Sequence, residues 1–449
     1  MQKKNNITEG PISKTVISLA WPVVVGMFME FALLTTDYYW VGKLGAFAQD
    51  AVTSSMVMIW TIMASTSIVG IGSTAIVARY IGAKEFKKAN YFINQAAYLA
   101  IGAGLLVSVI GYIFSPRLLV FMGSSEQTLA HAIPYIRVFF ISSVLVFINE
   151  TTYAIFRASG NTKTPTIVGI TVVLLNMVLD PLLIFGYGIV PPLGVMGASI
   201  ASAIAMFIGM TMIISSLYKD KLSYQIDRLF SHAASVKDMI KIGKIGFPMF
   251  TQQLTFISVY WFLIKIVHTY GETAAAGMGI GNRMESFSYL TCFGFSLAAS
   301  TMVGQNLGAN KPERAAKCAW ITIGLAVGLT SIISVIFLTI PEHIAMIFSD
   351  DPVVIQIASD YLIILGYSQI FMAIEIVLEG SFSGAGNTIP PMVVMIPGAV
   401  IRIPLAYYLC FDLNWGINGV WWTLTFTTVI KAMVLAYWFK RGHWKHKEL

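Results

Sequence analysis

Charged side chains are scarce in this sequence. Its 449 residues include 29 Lys and Arg and 22 Asp and Glu, which makes 11% charged residues, whereas an average soluble domain has about 25%. So few charges cannot cover the surface of a soluble protein of 49.2 kDa. With 56% hydrophobic residues and a mean hydropathy of +0.74, the chain is also too apolar for a disordered or collagen-like protein. The composition therefore predicts a membrane protein with many spans.

Cysteines are few as well. Cys292, Cys318 and Cys410 all lie in apolar stretches, and their spacing fits neither a metal site nor a disulfide framework. The alternating ten-residue segments that a transmembrane barrel requires are also absent. Because backbone groups must be satisfied within the lipid, we expect every span to be a helix.

The long apolar stretches are each sufficient to cross the hydrocarbon core, which takes about 20 residues per helix. They predict an all-α polytopic membrane protein with twelve transmembrane helices. No loop is large enough for a soluble catalytic domain, so we expect no enzyme activity and place the function within the membrane bundle. The predicted spans are roughly 15–41, 52–80, 90–115, 127–156, 164–187, 194–217, 240–268, 274–305, 317–340, 353–382, 389–411 and 415–439.

The basic residues predict the orientation of these spans. With the N-terminus in the cytoplasm, the outer loops carry only Lys43 and Arg117, whereas most other Lys and Arg residues fall in cytoplasmic loops and tails. Both termini are therefore predicted to be cytoplasmic. This distribution and contact with anionic lipid account for the net charge of +7, so we expect the lipid bilayer and no nucleic acid among the partners.

The sequence is internally duplicated with an offset of 226 residues. Pro22 matches Pro248 and Tyr135 matches Tyr361, and the turn at 160–162 matches the turn at 386–388. Since each half has six spans, both halves enter the membrane with the same orientation. Parallel repeats of this kind are typical of transporters that work by alternating access.

The duplication predicts two pseudo-symmetric six-helix bundles. We expect an N-terminal lobe over 1–217, a cytoplasmic linker over 218–239 and a C-terminal lobe over 240–449. The linker mixes Lys, Arg and Asp residues, which favours a short helix at the membrane interface.

Several motifs at matching places in the two halves resemble those of one family. The chain is similar to the multidrug and toxic compound extrusion (MATE) family over essentially its whole length, and within it to the DinF-like branch. The resemblance implies an antiporter in the bacterial cytoplasmic membrane that exchanges H⁺ or Na⁺ for amphiphilic, often cationic compounds. The motifs are VARYIGA (77–83), FRASGNT (156–162), NMVLDP (176–181) and LGVMGA (193–198) in the first half, and VGQNLGA (303–309) and GAGNT (384–388) in the second.

Carboxylates within the spans are functional candidates because charge in mid-bilayer costs several kcal/mol. Asp37 and Asp180 lie near the outer ends of spans one and five, at about the same depth, and Asn176 is one helical turn before Asp180. Pro181 frees a carbonyl one turn back. In the DinF-like branch, the resemblance implies that Asp37, Asn176 and Asp180 bind the coupling cation, which is a proton or possible Na⁺.

The first-half drug cavity is expected around Glu30, which is seven residues before Asp37. We expect no other cofactor or metal, and a monomer in the membrane. Arg283 is predicted to pair with Glu30, Glu150 or Glu375. The resemblance and the polarizability of methionine place Glu30, Asn149, Glu150, Tyr153, Met177 and Arg283 in the substrate site.

The second half differs in the sign of its charges. Lys265 and Arg402 lie beside the positions that match Asp37 and Asp180, so coupling is expected to reside in the first half. Alternatively, both basic side chains extend to the outer interface. A lipid or polysaccharide flippase of the same superfamily is the main alternative function, and it would have a more basic central cavity and extra spans.

Overall fold

The computed structural model describes residues 7–188, 190–219, 222, 224 and 226–448. Within these residues the secondary structure is helical apart from one isolated bridge between Tyr187 and Val190. The first half contributes α1 (Ile12–Gly42), α2 (Ala46–Gly82), α3 (Phe86–Phe121), α4 (Glu126–Ala158), α5 (Lys163–Phe185) and α6 (Val195–Tyr218).

The second half is more interrupted than the first. Its helices are α7 (Val236–His268), α8 (Glu272–Gly308), α9 (Pro312–Thr339), α10 (Pro341–Met346), α11 (Pro352–Gly366), α12 (Gln369–Gly384), α13 (Ile389–Val400), α14 (Arg402–Tyr407) and α15 (Asn418–Lys440). A π-turn over Tyr408–Asp412 extends α14, and a 3₁₀ turn over His443–His446 follows α15.

The described helices confirm the prediction of twelve membrane spans. Eleven helical segments are long and apolar enough to cross a bilayer, and the pair α11 and α12, bent by 58°, completes the twelfth. The predicted continuous span over 353–382 is thus a broken helix. The bend falls at residues 367–368, between Gly366 and Gln369.

The same helix pairs pack together in both halves, as a duplication requires. In the first half α4 packs against α2, α3 and α6, and α5 packs against α6. In the second half α12 packs against α8, α9 and α15, and α13 packs against α15. Each pair in the first list corresponds to one in the second after the shift of 226 residues.

Small residues let the central helices of each half approach closely. In the second half, a Cβ atom on Gly380 would lie 2.3 Å from the Ser296 carbonyl oxygen. At the matching positions of the first half the order is reversed, since Gly70 lies on α2 and Ala154 on α4. Both crossings keep one glycine, because two larger side chains would force the helices apart.

Two compact units divide the chain, and the division falls inside α1 and α7. Unit 1 includes Val25–Phe250, and unit 2 includes the described residues before Val25 and those from Thr251 onward. Within unit 1, the start of α7 packs so closely against α2 that a Cβ on Gly72 would lie 2.1 Å from the Ile242 carbonyl oxygen. Within unit 2, the start of α1 packs on α8, where Val24 contacts Gly294.

The linker differs from its prediction. Its described residues between α6 and α7 form turns, bends and irregular chain, so the predicted interfacial helix is wrong for those residues. The linker backbone is held by side chains of α3 instead. The Gln95 amide donates to the Ala233 carbonyl over 2.9 Å and accepts from the Ser235 N–H over 2.8 Å, and Asn94 Oδ1 accepts from the Ser231 N–H over 3.1 Å. The predicted lobe boundaries at 217 and 240 stay a prediction.

The close approach of α2 and α7 gives a test of the packing. We expect Gly72→Ala to lower stability by about 2 kcal/mol, because the new methyl group would overlap the Ile242 carbonyl. The measurement is the thermal unfolding midpoint of the purified protein in detergent. Gly102→Ala is the matched control, since a Cβ on Gly102 meets nothing within 4 Å. Equal midpoints for the two variants would contradict the packing.

Candidate functional site

Helices α1 and α5 run side by side and bring the three predicted cation-site residues together. A Cβ on Gly26 would lie 3.6 Å from the Thr166 methyl group. Further along both helices, the Asn176 amide nitrogen lies 3.3 Å from Asp37 Oδ1 and 3.3 Å from Asp180 Oδ2. Two carboxyl groups from different helices therefore share one amide donor.

The orientation of the Asn176 amide follows from its neighbours. Its oxygen accepts from the Ser202 N–H over 2.9 Å and from the Ser202 hydroxyl over 3.0 Å. In the opposite orientation the amide oxygen would face only carboxylate oxygens, which is repulsive. Ser202, about two turns into α6, thus fixes the amide so that its NH₂ group points at the carboxyl pair.

The carboxyl pair is shielded from solvent on its α5 side. Asp180 is 0% exposed and Asn176 is 1% exposed, whereas Asp37 is half-buried. The Asp37 and Asp180 carboxyl groups also interact directly. No described donor reaches the buried Oδ1 atom of Asp180. The arrangement thus places two carboxyl groups with one shared amide donor in a poorly solvated place.

Tyr135 on α4 is a site residue that sequence reasoning missed. It is 5% exposed, and its phenol interacts electrostatically with both Asp37 and Asp180. The repeat contained a signal, because Tyr135 matches Tyr361 across the two halves. In the sequence alone, this match indicates only the duplication.

A second polar group lies around Glu30 and α4. The Arg157 guanidinium lies 3.8 Å from the Glu150 carboxylate, and Glu30, Glu150 and Arg157 all interact electrostatically with Tyr153. The partner of Glu150 thus comes from two helical turns further along α4, and the predicted pairing of Arg283 with Glu30 or Glu150 stays a prediction. The side chain of Glu30 is exposed.

The other predicted substrate residues are placed as follows. Asn149 is buried and donates to the Met206 carbonyl over 3.0 Å, and Met177 is half-buried on α5 beside Asn176. Arg283 is exposed and lies on α8 in unit 2. Their roles in substrate binding stay predictions.

Unit 2 contains its own buried charges, which are paired with one another. Glu375 on α12 binds Lys431 on α15 over 2.7 Å, so the predicted pairing of Glu375 with Arg283 is wrong. Arg402 is 6% exposed and donates to the Thr427 hydroxyl over 2.9 Å. It is held inside the second half, and the alternative that it extends to the interface is wrong.

Lys265 behaves differently from Arg402. Its ammonium lies over the Trp261 ring, 3.6 Å from the ring centroid. A cation on an exposed indole is stabilised without a carboxylate partner. The two basic residues near the matched positions therefore have separate environments.

The duplicated tyrosine has different partners in the two halves. Tyr361 is 0% exposed, and its hydroxyl oxygen lies 2.6 Å from both Asn282 Oδ1 and Glu285 Oε2, either of which can accept its proton. Arg402 interacts electrostatically with Glu285. The tyrosine position thus meets an acidic pair in the first half and an acid balanced by a base in the second.

The donor set around Asp37 combines carboxyl oxygens with an amide nitrogen. Na⁺ prefers several oxygen ligands, yet the Asn176 oxygen is engaged by Ser202 and the amide presents nitrogen to the carboxyl pair. Across the described residues, no group of three His, Cys, Asp or Glu side chains is placed to hold a metal ion.

Comparison with known families shows the duplication directly. The MatE family model matches residues 22–182 and again residues 248–408. Both ends of the second match are displaced by 226 residues from the first, which is the offset found in the sequence. The internal repeat is confirmed.

Individual relatives cover nearly the whole chain. The probable multidrug resistance protein NorM of Thermotoga maritima is 26% identical over 97% of this chain and 94% of its own length. The FAD transporter of Shewanella oneidensis is 22% identical over 98% and 97%. A solved structure of a multidrug resistance MATE family transporter of the MOP superfamily, in its outward-facing conformation, superposes with a TM-score of 0.91 at 22% identity and covers 100% of both chains.

The shared amide predicts an energetic coupling between Asn176 and Asp180. Asn176→Leu removes the donor that separates two carboxyl groups, so we expect it to destabilise the protein by about 2 kcal/mol. In an Asp180→Asn background the same change is expected to cost at least about 1 kcal/mol less, because one of the repelling groups is gone. The double-mutant cycle is measured by thermal unfolding in detergent. Asp412→Asn, which changes an exposed carboxylate, is the control background. If the effects of Asn176→Leu and Asp180→Asn on stability simply add, the proposed geometry is contradicted.

Proposed function

The chain belongs to the MatE family of membrane transporters, and on that premise we propose that it is a cation-coupled multidrug efflux antiporter. It exports amphiphilic, often cationic compounds by alternating access, with H⁺ favoured over Na⁺ as the coupling ion. The observation that carries the proposal is the carboxyl pair of Asp37 and Asp180 with the Asn176 amide between them.

The carboxyl pair supports proton coupling through its charge. Two ionised carboxylates in a poorly solvated place repel each other, and a proton shared between them removes that repulsion. When the proton leaves, the pair regains negative charge that attracts a cationic compound. Proton and substrate thus compete, and competition of this kind is sufficient for exchange.

The Asn176 orientation supports H⁺ over Na⁺. An amide NH₂ group stabilises ionised carboxylates by donating to both, whereas it repels a metal cation at the same place. Binding of Na⁺ would require the amide to turn and to give up its two contacts with Ser202. A proton requires no such change.

The group around Glu30 supports a substrate that is both cationic and aromatic. Glu30 and Glu150 provide negative charge, and Tyr153, which interacts electrostatically with both, provides a ring face for a cation. Arg157 offsets part of this charge through Glu150. Met177 supplies a flexible apolar surface that adapts to different compounds.

The proposed motion begins in α1. Pro22 removes one backbone donor and Gly26 weakens the helix, so a bend near these residues is expected when Asp37 takes up its proton and loses its charge. The described α1 is one helix over Ile12–Gly42. The transporter works as a monomer in the bacterial cytoplasmic membrane with both termini in the cytoplasm.

Two related functions differ from this proposal in the charge of their cargo. The Shewanella relative is an FAD transporter, and a flippase would move a lipid-linked anion. Both cargoes are negatively charged, whereas the described first-half groups at Asp37, Asp180, Glu30 and Glu150 are acidic. The sign of these groups favours export of cations.

The test is transport in proteoliposomes. A fluorescent cation such as ethidium is loaded, and an outward drug flux is driven by a pH gradient or by a Na⁺ gradient, each imposed alone. We expect the pH gradient to drive wild-type transport, and Asp37→Asn or Asp180→Asn to reduce it at least about tenfold, since each variant removes one acceptor of the coupled proton.

Asp412→Asn serves as the matched control, because it removes an exposed carboxylate away from the pair. It is expected to transport at the wild-type rate. Transport driven by Na⁺ alone would overturn the choice of ion, and transport of FAD or a labelled anionic lipid in place of ethidium would overturn the choice of cargo. If neither gradient drives flux of any of these, the antiporter proposal fails.

A further inference from the structure

A cavity of about 500 Å³ lies in unit 2 between the first turns of α9 and the last turn of α15. Its wall combines basic and aromatic side chains. They are Lys317 and Trp320 on α9, Phe439 and Lys440 on α15, and Lys445 in the 3₁₀ turn that follows, with Glu313 at the rim. None of these residues belongs to the carboxyl pair of Asp37 and Asp180 or to the group around Glu30.

The charges of this cavity do not cancel. Lys445 Nζ lies 2.9 Å and 3.1 Å from the two carboxylate oxygens of Glu313, so these two groups neutralise each other. Lys317 and Lys440 are exposed and have no acidic partner among the described residues. Two uncompensated cations therefore remain at the rim.

The aromatic wall is fixed in place. Phe439 stacks on Trp444 with ring centroids 4.3 Å apart, and the Trp444 indole donates to the Phe439 carbonyl over 2.8 Å. Gly442 makes the turn that brings Trp444 back, with φ of 80°. Trp320 meets Phe439 edge-on at 5.8 Å and is itself 41% exposed. The cavity is thus a preformed surface with an apolar floor.

Along α9 a basic side chain precedes an aromatic one, which is the order in which a lipid presents its charged head group and then its apolar chain. Lys317 precedes Trp320 by three residues, so both lie on one face of α9 with the indole about 4.5 Å deeper along the axis. Lys440 ends α15. By the distribution of Lys and Arg, this is the end of the bundle that we expect at the cytoplasmic leaflet, where anionic head groups concentrate.

We propose that this cavity binds the head group of an anionic phospholipid. The phosphodiester lies between Lys317 and Lys440, and the glycerol and upper acyl chain lie against the exposed side of Trp320, which packs on the buried Phe439. A free phosphate ion would use the two cations but would leave the aromatic floor unused. The combination of both surfaces therefore favours the lipid.

The experiment measures lipid affinity by native mass spectrometry of the full chain, released from nanodiscs and titrated with phosphatidylglycerol or phosphatidylcholine. We expect wild-type protein to retain phosphatidylglycerol selectively. Lys317→Gln combined with Lys440→Gln is expected to weaken that binding roughly thirtyfold, because two cations near an anionic lipid are lost. Glu313→Gln is expected to change it in the opposite direction, because it frees the Lys445 ammonium.

The matched control is Lys87→Gln combined with Lys163→Gln. These two residues are exposed at helix ends in the first half and line no part of this cavity. The control variant is expected to retain the lipid as the wild type does. An equal loss in the control, or no loss in the Lys317 and Lys440 variant, would overturn the site. Displacement of the lipid by inorganic phosphate, with phosphate itself retained, would show that the cavity holds free anions and would overturn the lipid assignment.

Discussion

A carboxylate inside a membrane bundle cannot be both ionised and alone, and this constraint governs the first half of the molecule. Asp180 is fully buried and lies near Asp37. The second carboxyl group increases the free-energy cost of a negative charge on Asp180. Asn176 stabilises the two carboxyl groups by donating to both, and Ser202 holds Asn176 in that orientation. Helices α1, α5 and α6 are thereby tied at one place by polar contacts that no apolar packing would replace.

The second half has the same helix pairing, but its buried acids are stabilised by different partners. Its buried acid Glu375 is paired directly with Lys431 over 2.7 Å, and Glu285 has a tyrosine donor and a nearby guanidinium. An acid that is paired with a base is stabilised in its ionised form, whereas two neighbouring acids repel each other when both are ionised. Duplication thus supplied two similar scaffolds, and the placement of charge made them chemically unequal.

Much of this was predictable because it depends on regular patterns. Span number follows from apolar length, the repeat follows from a constant offset, and Asn176 and Asp180 share a helix face by their spacing alone. That Asp37 meets them could be expected from equal depth in two helices of the same direction. In contrast, the pairing of Glu150 with Arg157, two turns along the same helix, was not predicted. The choice between several basic residues depends on side-chain reach and helix rotation, which no spacing rule supplies.

The failed prediction of a linker helix has a related cause. Charged composition at 218–239 favours an interfacial helix in isolation, but Asn94 and Gln95 on α3 offer the linker backbone the hydrogen bonds that a helix would otherwise have supplied. These amides belong to α3, whose sequence is that of an ordinary apolar span. The sequence of the linker therefore gives no indication of the hydrogen bonds that they provide. The start of α7 is held in unit 1 by the same means, through the bond from the Tyr91 hydroxyl to the Asp238 carboxylate over 2.8 Å.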